Sequence, residues 1–128
     1  GLDAHRQRML DRVPETGDWS KFQHNSIELK DLAYLTAKVG DEFALLRGKR
    51  DDILFHGGRT HCNIHGILWD SLKSHKLELI GHSHPGENFP VASSDDRQAL
   101  TEIDQYKSKV ISARTGMWVE FTSNSFEV

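Results

Sequence analysis

One cysteine in 128 residues, Cys62, excludes an intramolecular disulfide, and a lone thiol fits a reducing compartment. No apolar run approaches the ~18 residues that a membrane-spanning helix needs, so nothing is expected to cross a bilayer. The opening Gly1-Leu2-Asp3-Ala4-His5-Arg6-Gln7-Arg8 has no apolar h-region and no cleavage signature. No signal peptide is therefore expected, and the expected location is cytoplasmic. A basic excess is missing too: 16 Lys and Arg stand against 19 Asp and Glu, a formal net charge of -3. That balance argues against nucleic acid or an anionic membrane surface as partner. There is no internal repeat and no low-complexity tract. The length suits one core-bearing domain, read here as 27–128 after an N-terminal helix and arm at 1–26. An initial Gly in place of Met suggests a domain of a larger chain.

Histidine is what the chain has in plenty, eight of them, scattered along it. Two lie in the stretch from Leu77 to Asp96, around which the rest is organised. It opens as a strand, with Leu77, Leu79 and Gly81 on one face and Glu78 and Ile80 on the other. His82 and His84 continue the Ile80 face at i and i+2, so both imidazoles can converge on one point. Pro85-Gly86 ends the strand. Ser93 or Ser94 can then cap a helix with Asp95 and Asp96 in its first turn. Two neutral imidazoles and a carboxylate make a three-ligand set. Catalytic zinc uses three protein ligands and leaves its fourth position to water.

His82-Ser83-His84-Pro85 followed by Ser93-Ser94-Asp95-Asp96 resembles the JAMM motif of the MPN (JAB) metalloprotease superfamily: His-x-His, a loop, Ser-x-x-Asp, and a distant upstream Glu. The match places Asp96 as third ligand if the loop is one residue longer than usual. Without that insertion the serine position falls on Ala92 and the aspartate on Asp95. Helix phase favours Asp96, because it shares a face with Leu100, Ile103 and Lys107, whereas Asp95 shares one with Ala99, Glu102 and Tyr106. The ligand should lie on the buried side, which Leu100 and Ile103 mark. The resemblance implies zinc as cofactor and Glu42 as general base. Glu42-Phe43-Ala44-Leu45-Leu46-Arg47-Gly48 approximates the family's Glu-x-x-Gly-Leu-Leu-x-Gly, and an ungapped match would use Asp41 instead. Ser93 is a helix cap by its position and, by resemblance, a donor to the developing oxyanion.

Elsewhere the pattern predicts a helix over 2–12 and a loop at Pro14–Asp18, after which Trp19 and Phe22 anchor the arm. Asn25-Ser26 can cap a helix from Ile27 to about Lys38 that stops at Gly40. Strands are expected at 42–47, 53–56 and 60–65, a helix at 67–74, the His-x-His strand, a helix at about 94–107, and strands at 109–113 and 117–122. Hairpins with packed helices argue an α+β layer fold. The resemblance makes it MPN/JAB-like, a cytidine-deaminase-like layering of helices on a mixed, mainly antiparallel sheet. His61, Cys62 and His65 are a rival cluster but read as strand residues. His56 could approach the cleft, and His24 and His75 read as surface positions. Cys62 has no evident triad partners. Trp19, Trp69 and Trp118 are expected in the core or at its rim.

The function expected from these residues is a zinc-dependent amide hydrolase, a metallopeptidase or isopeptidase acting on a protein or peptide-conjugate substrate. The compact size resembles the bacterial and phage members. The alternatives are a catalytically silent MPN-type interaction module and, with less support, a metal-dependent nuclease or toxin. The lack of a Lys/Arg stripe counts against the last.

Overall fold

The computed structural model describes residues 2–124. In chain order they form α1 (Ala4–Arg12), β1 (Trp19–Gln23), α2 (Leu29–Val39), β2 (Phe43–Arg47), β3 (Asp51–His56), α3 (Gly66–Lys73), β4 (Glu78–His84), α4 (Ser94–Ile103), β5 (Lys107–Ser112) and β6 (Trp118–Thr122). The strands make one six-stranded sheet in the order β1-β3-β2-β4-β5-β6. Only β4 and β5 pair in parallel, and α4 is the crossover that such a pair requires. The class is α+β with a mixed, mainly antiparallel sheet. No helix among the described residues is long and apolar enough to cross a membrane.

Both faces of the sheet are covered. Met9 and Val13 of the α1 segment and Leu32 and Leu35 of α2 pack on Phe43, Leu45, Leu54 and Ile111. On the other face Leu68 and Leu72 of α3 and Leu100 and Ile103 of α4 pack on Ala44, Leu46, Phe55 and Val110. This explains why Phe43-Ala44-Leu45-Leu46 is apolar without alternation: successive side chains enter different cores.

Three expectations need correction. Residues 60–65 form no strand. They belong to an irregular connection in which Asn63 takes φ 52° and Cys62 and Ile64 pack against the α3/α4 core. The missing strand is upstream: Trp19–Gln23 is β1, an edge strand paired with β3. The α2 start also moves. The backbone N–H groups of Asn25 and Ile27 donate to Asp52, and the capping box is made by Glu28 and Asp31. Gly40 does close the helix, at φ 84°.

The third correction decides the position of the candidate site. The β2–β4 register runs Ala44↔His82, Leu45↔Gly81, then shifts to Leu46↔Leu79, so Ile80 is an extra residue. Ile80 packs toward the α1/α2 core and Leu79 toward the α3/α4 core. A Cβ added to Gly81 would stand 2.5 Å from Leu29 Cδ1 of α2, so Gly81 faces the same side as Ile80. His82 and His84 therefore share a face with Leu79, not with Ile80. The bulge re-aims both imidazoles toward α4, as a one-residue slip must.

Candidate metal centre

His82 and His84 are the last two face-sharing residues of β4, and both are buried. Between them Ser83 points to the other face. Its Oγ lies 2.6 Å from Thr36 Oγ1 and accepts the Phe43 N–H at 3.0 Å. That contact ties the histidine rung to α2 and to the head of β2, so the two imidazoles stand on a braced backbone.

Across from them, α4 begins at Ser94 with Ser93 as N-cap. The Ser93 hydroxyl oxygen accepts the Asp96 N–H at 3.0 Å, and Asp96 Oδ2 accepts the Ser93 N–H at 2.9 Å. The capping box therefore fixes the Asp96 carboxylate as well as the helix end. The same Oδ2 lies 3.2 Å from His82 Nε2 and 3.3 Å from His84 Nε2. The two imidazole nitrogens are 3.0 Å apart. A tetrahedral ion with bonds of about 2.0–2.1 Å holds its ligand atoms about 3.3 Å from one another. The three atoms thus have the spacing of one face of such a coordination shell. Asp95 is turned away. It is exposed, and its Oδ2 pairs with His61 Nε2 at 3.0 Å.

Glu42 stands directly before β2. The Ala44↔His82 pairing, carried two residues further, brings it opposite His84. It is only 5% exposed, and its Oε2 lies 3.8 Å from His84 Nε2. Ligand atoms of Glu42, His82 and His84 all lie within 4.8 Å of one another, so this buried cluster can hold a metal ion. Asp96 approaches both imidazoles more closely than Glu42 approaches His84, which leaves Glu42 beside the three-atom face and not in it. Asp41 faces the other side of the sheet, where its Oδ2 pairs with His56 Nε2 at 2.8 Å. His56 also bonds the Val13 carbonyl and stacks on Phe43, so it braces the N-terminal segment and does not enter the cluster.

The charges are strongly coupled. Burial lifts the Glu42 carboxyl above its ordinary pKa, against the pull of His82 and His84. Burial would also lift Asp96, but the two imidazoles and the Ser93 N–H hold it well below the carboxylate range. Burial pushes His84 down, yet Asp96, Glu42 and Glu87 outweigh it and raise the imidazole to about 9.

One neighbour, Glu87, escaped the sequence reading. Glu87 Oε1 lies 2.5 Å from His84 Nδ1, and the Ser112 hydroxyl donates to the Glu87 carbonyl, pinning the loop. A carboxylate in the turn just after His-x-His was the available signal. Cys62 lies 3.7 Å from Glu42 Oε1, and burial pushes its thiol well above the usual pKa, so it is no ready nucleophile. His61 and His65 do not converge with it: His65 Nδ1 faces its local Asn63 carbonyl. Of the remaining histidines, His75 is exposed and His24 half-buried. A cavity of about 300 Å³ adjoins His82 and Asp96, with Ala44, Trp69, Leu79 and Phe121 in its walls.

Comparison with protein-family models, with curated proteins and with solved structures finds no match to this chain.

Proposed function

We propose that the chain is a zinc-dependent amide hydrolase, a metallopeptidase or isopeptidase of the JAMM kind on an MPN (JAB)-like fold. The observation that carries this reading is the triangle of His82 Nε2, His84 Nε2 and Asp96 Oδ2, with edges of 3.0, 3.2 and 3.3 Å and a buried glutamate beside it. Two imidazoles and one carboxylate suit zinc, and the edge lengths suit its tetrahedral shell. Bound there, zinc supplies a Lewis acid for a carbonyl oxygen and lowers the pKa of water toward neutrality. His82, His84 and Asp96 would hold it, and Glu87, at His84 Nδ1, would orient that ring with Nε2 inward.

Glu42 takes the proton of the attacking water on a carboxylate oxygen and returns it to the departing amine. Its burial raises its pKa above the ordinary carboxyl value, which favours taking up that proton. Ser93 Oγ accepts the Asp96 N–H. The hydroxyl proton is left to donate to the oxyanion that forms at the carbonyl. The apolar cavity beside His82 is suited to a side chain of a protein or peptide-conjugate substrate.

The test is cleavage of a panel of peptides and isopeptide-linked conjugates by protein purified without chelator. Zinc content is measured on the same samples. Glu42→Gln keeps shape and zinc but should lower turnover ~10²-fold or more. His82→Ala should lose both. Equal rates for Glu42→Gln and parent would remove Glu42 from the mechanism. Zinc-loaded parent that cleaves nothing across the panel would favour a silent interaction module.

A further inference from the structure

We infer that a second groove, at the other end of the sheet, binds an acidic, extended segment of a protein partner that carries one bulky apolar side chain. The groove measures about 560 Å³ and lies between β1, the β2–β3 turn, the start of β4 and α3. Glu42 precedes β2 and the turn at Gly48 follows it. Six residues of extended chain at ~3.3 Å each separate the two sites by about 20 Å.

The charge on its rim is one-sided. Lys21, Lys49, Arg50 and Lys76 line it against a single carboxylate, Asp51. No side chain of those four makes an ion pair or hydrogen bond among the described residues. Four unanswered cations on one groove are a local positive field in a chain whose net charge is -3. Its lining also includes the buried Ile53 and Leu68, the half-buried Leu77 and the exposed Trp19. Ile67 at the lip is 69% exposed. Cations around apolar lining residues match carboxylates flanking an apolar anchor. The extended form follows from β1, an edge strand that among the described residues pairs only with β3 and carries Trp19 and Lys21.

The probe is a short fluorescein-labelled peptide with one phenylalanine between glutamates, followed by anisotropy with the whole chain. The parent should bind it, more weakly as salt rises. The double variant Lys49→Glu/Arg50→Glu, in an exposed turn, should bind at least about tenfold more weakly. Ile67→Ser should weaken binding several-fold, and His82→Ala should leave it unchanged. No binding by the parent would overturn the inference, as would equal binding by the Lys49/Arg50 variant. So would undiminished binding of a peptide with glycine for phenylalanine, which would reduce the groove to a polyanion surface. Loss in His82→Ala would move the peptide to the metal centre and equally overturn it.

Discussion

Asp52 and Asp96 are both carboxylates held inside this fold, and their surroundings differ in one respect. Asp52 has every oxygen answered. Oδ1 accepts from Asn25 N–H at 3.1 Å and Arg47 Nε at 2.8 Å, and Oδ2 from Ile27 N–H at 3.1 Å and Arg47 Nη2 at 3.0 Å. Arg47 also donates to the Ile27 carbonyl, so the knot closes on itself and fastens the segment before α2 to the β2–β3 hairpin. Asp96 has different partners. Apart from the Ser93 N–H, its Oδ2 faces two imidazole nitrogens that also face each other. A buried polar group satisfied by its neighbours has a structural job. Two imidazole nitrogens and a carboxylate oxygen converging at tetrahedral spacing are instead a set that a cation can fill, which is why the two sites differ in what they predict.

The largest effects come from crossing the two sites. Asp96→Ala should abolish zinc binding, read by metal analysis, while Asp95→Ala keeps it. Asp52→Ala should keep zinc but lose about 3 kcal/mol in urea denaturation, because it strands a guanidinium and two backbone N–H groups. Stabilities are compared in chelator, since a ligand that binds only the folded state adds stability of its own. If Asp52→Ala lost zinc, or Asp96→Ala lost as much stability in chelator as Asp52→Ala, the contrast between the sites would fail.

A smaller effect sharpens the contrast within the metal centre. Glu87 touches no proposed zinc-binding atom directly but meets His84 at Nδ1, the ring position away from the triangle. Glu87→Gln should weaken zinc affinity 10–100-fold, the usual cost of losing an outer carboxylate on a ligating histidine. Competition against a zinc-binding dye measures it. An unchanged affinity would mean that β4 alone sets the ring.

How far the sequence could be read follows from the range of each interaction. Period-two and helical spacing are local, so the order strand, loop, helix, the pairing of His82 with His84 on one face, and a serine cap at Ser93 or Ser94 were legible; the helix expected to run to about 107 ends at Ile103, with Asp104 left-handed at its C-cap and Lys107 already in β5. Helix phase turns Asp96 toward the imidazoles and Asp95 toward solvent. The bulge at Ile80 was not legible, because it is set by how β4 meets β2 and by α2 packing on Gly81. The face of the histidines was misassigned for that reason. β1 was missed because Trp19, Lys21 and Gln23 are exposed, leaving Phe22 as its one large apolar residue packed against the core. Residues 60–65 misled in the opposite direction: Cys62 and Ile64 are apolar at alternate positions, but they pack from an irregular connection. The arm at 1–26 supplies Met9 and Val13 to one core, a dependence that weak local periodicity does not reveal.

The smallest expected effect concerns protons at the closed knot. Burial would raise the Asp52 carboxyl, but the Arg47 guanidinium and the N–H groups of Ile27 and Asn25 outweigh it, so its pKa is lowered on folding. A carboxyl with a lowered folded pKa binds a proton more weakly in the folded chain than in the unfolded one. The stability linked to this is fully present above the unfolded value of about 3.9 and is lost as pH falls below it toward the folded value. Asp52→Asn keeps the shape and cannot ionise. The parent should therefore exceed Asp52→Asn in stability by a constant margin at neutral pH, and that margin should shrink as the pH falls below about 4. Urea midpoints for both proteins in chelator, taken across the acid range, measure it, and the difference between them cancels the titration of other carboxyls. A margin that stays constant into acid would mean that the Asp52 charge contributes nothing beyond its hydrogen-bond geometry. A margin that widens in acid would reverse the sign of the pKa shift and undo the reading of Asp52 as the satisfied member of the pair.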